Sequence, residues 1–373
     1  MKSIFLESGH IKLYKRENSQ YWQMKLKLPK QRAIRSSTGS KILKEAKKIA
    51  LKNYSSFGIS NKIKKTSKNI YKKIHLVETA DLNKKEIEFI LDEAKKFISF
   101  NKKRVKKSNL LEGRTIFNLF FEDSTRTRTS FEVAAKRLGA DLINVAVKDS
   151  SINKGETLLD TMTTINSMNP DVLIVRHPEE GISKRISNNV DACVINAGDG
   201  SHEHPTQALL DALTIKNRFN NFSKLQIAIC GDILHSRVAR SNIIILSKLG
   251  AKINVIGPKQ WLPKNINKLP VEVYTDMKKG LKNCDIVMML RIQKERIVGK
   301  IMPNQKTYFN KYGLDYNKLK YAKKNAFVMH PGPMNRGVEI DTKLADDINV
   351  SLVKEQVELG VAVRMACLKI YCK

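Results

Sequence analysis

Residues 124–129 combine four hydroxyl side chains with two arginines in the order Ser-Thr-Arg-Thr-Arg-Thr. They follow the apolar run 117–121 and precede residues 131–139, FEVAAKRLG, which have the composition of a helix. A helix start offers free backbone N–H groups and a positive dipole end, and an arginine offers two parallel donors to a phosphate. Ordinary N-capping would account for one hydroxyl group only. The segment therefore predicts a phosphate-binding site.

Similar polar groups follow four other apolar runs. They are Arg176-His177-Pro178, His204-Pro205-Thr206-Gln207, Arg291-Ile292-Gln293 and His330-Pro331-Gly332-Pro333. One such group would usually be a surface residue or a core histidine, but five groups after five predicted strands indicate a shared site. Arg126, Arg176 and Arg291, together with Arg237, predict substrates with several anionic groups, because guanidinium groups bind phosphate and carboxylate in bidentate fashion.

Several other chemistries are excluded by residue type. Gly231 stands alone after its predicted strand, so neither GxGxxG nor GxxxxGK[ST] is present. His202 and His204 flank Glu203, which is not the HExxH spacing of a zinc helix, and GxSxG is absent. We therefore expect no metal and no cofactor.

The elements that would position these groups are alternating strands and helices from His75 onward. Eight strands are predicted, each mostly apolar as buried parallel strands are: Thr115–Phe121, Leu142–Val147, Val172–Arg176, Ala192–Asn196, Gln226–Cys230, Lys252–Ile256, Asp285–Leu290 and Ala326–Met329. The pattern favours an α/β protein with two doubly wound parallel-sheet domains of similar size. The helical stretch His204–Phe219 is the expected crossing point, and ligands should bind at the carboxyl ends of the strands.

The first 74 residues have a different character and predict a small basic β-β-β-α module. They hold 20 Lys and Arg against 3 Asp and Glu, about half of the net charge of +32 of the whole chain. Strands are predicted at Ile11–Arg16, Tyr21–Leu28 and Arg32–Arg35, followed by a helix after Thr38-Gly39-Ser40. Residues 1–57 form the predicted module, and residues 58–74 form a polar linker.

Composition sets the broad class of the protein. The chain of 373 residues is 42% hydrophobic, which excludes a disordered chain and suggests two or three domains. The five cysteines are far apart and lack CxxC spacing, so we expect neither a disulfide framework nor a zinc site. No apolar run is long enough to span a bilayer, and the N-terminus lacks a signal-peptide pattern. These features predict a cytoplasmic protein without membrane association.

The N-terminal module is similar to the arm-type DNA-binding module of tyrosine recombinases. This resemblance implies that nucleic acid is a partner through residues 1–74 only. A lysine-rich extension with no specific partner is the alternative, because lysine is also frequent in the rest of the chain.

Residues 75–373 resemble the aspartate carbamoyltransferase family. The resemblance rests on FFEDSTRTRTSFE, KGETLLDT, RHPEEG, HPTQALLD, RIQKER and HPGPMNRGVEI, in that order. It implies a carbamoyl-phosphate-binding domain at 75–210 and an aspartate-binding domain at 211–350. The C-terminal helix, 351–373, is expected to pack back on the first of these domains.

The resemblance also implies roles for individual residues. The carbamoyl-phosphate site would comprise Ser124, Thr125, Arg126, Thr127, Arg176, His204, Gln207 and main-chain groups of Gly332 and Pro333. The aspartate site would comprise Lys154, Arg237, Arg291 and Gln293. Arg126, Thr127, His204 and Lys154 would take part in catalysis. Lys154, with Ser150 or Ser151, would enter from a neighbouring subunit of a homotrimer.

The activity implied is carbamoyl transfer from carbamoyl phosphate to the L-aspartate amine in pyrimidine biosynthesis, without a cofactor. Ornithine carbamoyltransferase is the alternative, but it typically has HCLP where this chain has His330-Pro331-Gly332-Pro333. Arg291 and Lys294 would attract a second carboxylate and repel ornithine. Larger assemblies with regulatory or dihydroorotase chains are further implied partners.

Overall fold

The computed structural model describes residues 3–6, 11–26, 33–51, 53, 74–145, 157–293 and 304–372. The chain divides into two compact units, Met1–Lys72 and Lys73–Lys373. Nearly all of the predicted linker lies outside the described residues, as do Ser150, Ser151, Lys154 and Lys294. In the described part, no helix has the length and apolar character needed to cross a membrane.

The N-terminal unit is a four-stranded antiparallel sheet with one helix. Its strands, in sheet order, are β1 (Ser3–Leu6), β2 (Ile11–Tyr14), β3 (Gln23–Leu26) and β4 (Ile34–Ser37). Helix α1 (43–51) packs its Ala46 and Ala50 onto one face of this sheet, where Leu13 and Leu26 are buried. The prediction of three strands was wrong by one, because the SIFL sequence of β1 lacks the alternation of apolar and polar residues that IKLY in β2 and QMKL in β3 show.

The second unit begins with helix α2 (Lys84–Asn101) and a four-stranded parallel sheet of order β6-β5-β7-β8. The strands are β5 (Thr115–Phe120), β6 (Asp141–Val145), β7 (Val172–His177) and β8 (Cys193–Asp199). The helices between and after them are α3 (Thr125–Leu138), α4 (Leu158–Asn166), α5 (Ile182–Ser187) and α6 (Pro205–Arg218). Helix α6 leads into the second sheet, as the sequence predicts.

The second sheet has five parallel strands in the order β11-β10-β9-β12-β13. They are β9 (Gln226–Cys230), β10 (Lys252–Ile256), β11 (Val271–Tyr274), β12 (Ile286–Met289) and β13 (Phe327–Met329). The helices that accompany them are α7 (Arg237–Leu249), α8 (Met277–Leu281), α9 (Gln305–Tyr312), α10 (Tyr316–Leu319) and α11 (Thr342–Asp346). The two parallel-sheet domains are confirmed, but β11 was missed because its VEVY sequence lies at a sheet edge and is only partly buried.

The last helix, α12 (Val353–Tyr371), packs against α2, α3 and α6. It therefore returns to the helices beside the first sheet after the chain has completed the second sheet. Its buried residues include Gln356 and Arg364, which are polar groups in an otherwise apolar contact. Both side chains line the cleft described next.

Candidate active site

A cleft of about 400 Å³ collects every described residue that the sequence assigns to a site. These residues are Ser124, Thr125, Arg126, Thr127, Arg176, His204, Gln207, Arg237, Arg291, Gln293, Gly332 and Pro333. The order of the strands in the two sheets explains why these residues meet in one cleft. Strand order reverses between β5 and β7 in the first sheet and between β9 and β12 in the second, and such reversals open a crevice at the carboxyl ends.

The hydroxyl-rich segment forms the start of α3. Ser124 is the N-cap residue, yet its side chain makes no capping hydrogen bond. Thr127 is buried, whereas Arg126 is exposed toward solvent. The Ser124 hydroxyl group is therefore not used for capping, and the positive end of the helix dipole faces the cleft.

The loop after β13 approaches the same helix start. A Cβ atom on Gly332 would lie 3.2 Å from Cζ of Arg126, and Gly332 has a φ of +64°. Glycine adopts this backbone conformation and allows this approach without strain. The contact brings the second domain against the predicted phosphate site.

Two further arginines are held by one carboxylate. Glu122 Oε1 accepts hydrogen bonds from Arg176 Nη2 at 3.2 Å and from Arg237 Nη2 at 2.8 Å. Arg176 is at the end of β7 and Arg237 begins α7, so Glu122 joins the two domains. Gly198 lies between the guanidinium groups, since its Cβ would be 2.9 Å from Arg176 Nη1 and 3.2 Å from Arg237 Cζ.

His204 is the N-cap residue of α6 and is buried. Its backbone N–H donates to Ser241 Oγ at 2.9 Å, while its Nδ1 has no hydrogen-bond partner among the described residues. Burial first, and then the charges of Arg176 and Arg237, lower the pKa of His204 well below its usual value. The imidazole is therefore neutral at pH 7 and offers an uncharged polar atom to a ligand.

Arg291 and Gln293 follow β12 and complete the cleft from the second domain. Both side chains are half-buried. The described chain ends at Gln293 and resumes at residue 304. Around these groups, the described residues include no cluster of three His, Cys, Asp or Glu side chains suited to a metal ion.

Comparison with protein families now assigns the chain. Residues 74–217 match the aspartate/ornithine carbamoyltransferase carbamoyl-P binding domain, and residues 223–371 match the Asp/Orn binding domain of the same family. The chain belongs to the aspartate/ornithine carbamoyltransferase family.

Curated carbamoyltransferases give the same assignment. The chain is 58% identical over 299 residues to the aspartate carbamoyltransferase catalytic subunit of Pelagibacter ubique, which covers 80% of this chain and 96% of that protein. It is 57% identical over 294 residues to the catalytic subunit of Parvibaculum lavamentivorans, covering 79% and 90%.

Solved carbamoyltransferase structures share the fold. The aspartate transcarbamoylase of Trypanosoma cruzi in complex with N-(phosphonacetyl)-L-aspartic acid has a TM-score of 0.71 and 30% identity, covering 79% of this chain and 94% of that chain. The ornithine carbamoyltransferase of Pyrococcus furiosus has a TM-score of 0.70 and 28% identity, covering 79% and 95%. The shared fold therefore includes enzymes named for either amino acid.

Sequence reasoning missed several polar residues of this carbamoyltransferase cleft. Glu122 was visible as the acidic residue between a strand and the arginine-rich segment, but its two partners are distant in the chain. Arg364 could not be recognised as a site residue from the sequence, because it lies within a mostly apolar helix. Its Nη1 donates to Ser130 Oγ at 2.9 Å, and burial lowers the pKa of Arg364 to about 10, so it stays charged at pH 7.

Proposed function

We propose that the chain transfers the carbamoyl group of carbamoyl phosphate to the amine of L-aspartate. The observation that carries this proposal is the gathering of a helix start, five arginines and a neutral histidine in one cleft between two parallel sheets. The reaction yields N-carbamoyl-L-aspartate, an early intermediate of pyrimidine biosynthesis, and releases phosphate. No cofactor is required by this chemistry.

Carbamoyl phosphate occupies the side of the cleft formed by the first sheet. Ser124, Thr125 and the N–H groups at the start of α3 hold the phosphate, with Arg126 and Arg176 neutralising its charge. His204 and Gln207 contact the carbamoyl group, together with main-chain atoms of Gly332 and Pro333. The unfilled hydrogen-bonding capacity of Ser124 and His204 supports this orientation.

L-Aspartate occupies the side formed by the second sheet. Arg237, Arg291 and Gln293 bind its two carboxylates, with Lys154 contributing from a neighbouring subunit. Arg291 also explains the choice of acceptor, because a cation at this position attracts the side-chain carboxylate of aspartate and repels the ammonium group of ornithine.

The chemical step is attack of the aspartate amine on the carbamoyl carbon. A C–N bond forms, the carbonyl oxygen becomes an oxyanion, and the C–O bond to phosphate then breaks. Arg126, Thr127 and His204 donate to the oxyanion, and the departing phosphate accepts the amine proton. Lys154 and Arg176 stabilise the charge of the leaving phosphate. Holding two anionic substrates in contact supplies much of the acceleration.

The direct test is an assay of the purified full chain with carbamoyl phosphate and either L-aspartate or L-ornithine. We expect N-carbamoyl-aspartate and phosphate in equal amounts, and at least a hundredfold lower kcat/KM with ornithine. Absence of N-carbamoyl-aspartate, or a preference for ornithine, would contradict the proposal.

We infer a homotrimer with shared active sites, in which Lys154 enters from a neighbouring subunit as the resemblance to the family implies. Mixing inactive Arg126→Ala chains with inactive Lys154→Ala chains should restore part of the activity, because some sites then receive an intact set of residues from two chains. Activity that stays at the level of the separate variants would contradict a shared site. Regulatory and dihydroorotase partners stay predictions, as does a cytoplasmic location.

A second candidate function concerns the N-terminal unit. Lys12 of β2 lies opposite Lys25 of β3, which lies opposite Arg35 of β4. We call these three residues the cation ladder. Neighbours such as Ile11 and Leu13 are fully buried on the other face, so alternation places the ladder on the outer face of the sheet. The three side chains give the outer face of the sheet a row of positive charge, which attracts anionic ligands.

We propose that this outer face binds nucleic acid. Antiparallel sheets can read DNA in a groove, and strands about 4.8 Å apart place the ladder cations within reach of successive phosphates. The resemblance to recombinase arm modules stays a prediction and is not needed for this argument.

The test is binding of the full chain to a 25-base-pair duplex across a salt series. Replacing the cation ladder with glutamines should weaken binding at least tenfold and reduce the salt slope by roughly 2 to 3. A matched control replaces Lys41, Lys44 and Lys48, exposed at and beside α1, with glutamines. Equal losses in the two variants, or no binding at low salt, would contradict the proposal.

A further inference from the structure

Asp211 is a buried carboxylate behind the cleft that the reaction scheme above does not use. It lies on α6 four residues after Gln207, so the two side chains share one face of the helix. Asp211 is fully buried and does not line the cleft, whereas Gln207 does. A buried carboxylate is costly unless its oxygens are hydrogen-bonded.

Three amide groups supply those hydrogen bonds. Gln207 Nε2 and Gln356 Nε2 donate to Asp211 Oδ1 at 3.0 and 2.8 Å, and Asn242 Nδ2 donates to Oδ2 at 2.8 Å. An ionised carboxylate only accepts, so each amide must present its NH2 group and direct its carbonyl oxygen elsewhere.

The oxygen of Gln356 shows the effect of this constraint. Gln356 Oε1 accepts the backbone N–H of His330 at 3.0 Å, at the start of the loop that carries Gly332. The Asp211 carboxylate therefore fixes the orientation of two side-chain amides, those of Gln207 and Gln356. For Gln207, which lines the cleft, the same constraint turns the carbonyl oxygen away from Asp211.

We propose that Asp211 is a positioning residue that selects the NH2 group of carbamoyl phosphate. By holding the Gln207 amide through its nitrogen, it presents an acceptor to a substrate group that can only donate. A methyl group in place of the substrate NH2 leaves that acceptor without a partner, which is penalised in a buried site. This inference rests on the proposed carbamoyl transfer.

In an Asp211→Asn variant this constraint is relaxed, because one of the two acceptor oxygens becomes an NH2 group. The new amide can donate to Gln207, so the Gln207 amide is free to turn and to present its own NH2 group to the cleft. Two NH2 groups would then face each other, and the preference for a carbamoyl over an acetyl group should fall.

The experiment compares two stable inhibitors that differ only at this group. Phosphonoacetamide carries NH2 and acetonylphosphonate carries CH3 on the same carbonyl, and both are measured at pH 8 as competitors of carbamoyl phosphate. We expect the wild-type chain to bind phosphonoacetamide at least tenfold more tightly. In Asp211→Asn the ratio of inhibition constants should approach one, while acetonylphosphonate binding changes less than threefold.

Thr214→Val is the matched control, because Thr214 is equally buried on α6 and does not line the cleft. It should keep the wild-type ratio. If Asp211→Asn does not fold, Asp211→Ser replaces it, with the same expected loss. Failure of both to fold, or a folded variant with an unchanged ratio, would assign Asp211 a merely structural role and overturn the inference. A wild-type chain that binds both inhibitors but forms no N-carbamoyl-aspartate would contradict the proposed function instead.

Discussion

Arg126 and Arg128 lie two residues apart at the start of α3, but only Arg126 lines the cleft. Replacing Arg126 with alanine should lower kcat by about 10²- to 10³-fold, the effect of losing one donor to a developing oxyanion. Arg128→Ala removes the same charge from the same helix and should stay within about twofold of wild type. Steady-state kinetics with both substrates checks this, and equal losses in the two variants would contradict the role of Arg126.

Asp211 should make stability depend on pH. Burial raises its pKa to about 6, against the opposing effect of its amide hydrogen bonds. Between about pH 4 and pH 6 the folded chain then binds a proton that the unfolded chain has already released, so the contribution of Asp211 to stability falls as pH rises through this range. A shift of this size corresponds to about 3 kcal/mol.

The measurement is the difference in Tm between wild type and Asp211→Asn from pH 4.5 to 7.5. Wild type should lose stability relative to the variant as pH rises, and the difference should level off above about pH 7. Thr214→Val should show no such trend relative to wild type. A constant difference for Asp211→Asn would contradict the raised pKa.

At the scale of elements, three helix starts meet at one cleft. Ser124 is the N-cap residue of α3, His204 is the N-cap residue of α6, and Arg237 is the first residue of α7. Each helix contributes partial positive charge and backbone donors to the same volume, which suits two anionic substrates. The arrangement follows from strand order, because each of these helices begins after the carboxyl end of a parallel strand.

The loop after β13 should be sensitive to a single methyl group. Gly332 and Gly337 both have positive φ, but a Cβ on Gly332 would meet Arg126, whereas a Cβ on Gly337 would have nothing within 4 Å. Alanine at either position should cost about 1 kcal/mol of stability through the backbone conformation. Only Gly332→Ala should also lower kcat/KM for carbamoyl phosphate, by at least tenfold, because it displaces the guanidinium group.

Thermal unfolding and carbamoyl-phosphate kinetics separate the two effects. If Gly337→Ala lost activity to the same degree, backbone strain alone would explain both variants. The approach of Gly332 to Arg126 would then have no separate role.

Much of this arrangement could be predicted from the sequence, and the exceptions have physical causes. Local apolar runs identified eight strands, and polar groups at their ends identified many of the residues that line the cleft. The β11 strand was missed because an edge strand is not buried on both faces. Glu122, Gln356 and Asp211 were missed as partners because their hydrogen bonds join residues far apart in the chain. The types of neighbouring residues in the sequence do not show which distant side chains come into contact in the folded chain.

At the scale of the whole molecule, the two compact units should be separable in function. Every residue that lines the cleft belongs to the unit Lys73–Lys373, and both family matches begin at or after residue 74. A chain that lacks residues 1–73 should keep kcat and both KM values within about twofold. It should lose nucleic-acid binding, because it loses more than half of the net positive charge.

Kinetics and duplex binding of the truncated and full chains check this prediction side by side. A tenfold loss of carbamoyl transfer would show that the N-terminal unit contributes to the site. Unchanged duplex binding would place the nucleic-acid surface elsewhere.

The return of α12 to the first sheet has a consequence for synthesis on the ribosome. The second sheet and its helices are contiguous in sequence, so they can fold as soon as they emerge. The first sheet emerges earlier, but its covering helices α2, α3 and α6 wait for α12, which is translated last. Of the two parallel sheets, the one that is synthesised first is therefore the one whose packing is completed last.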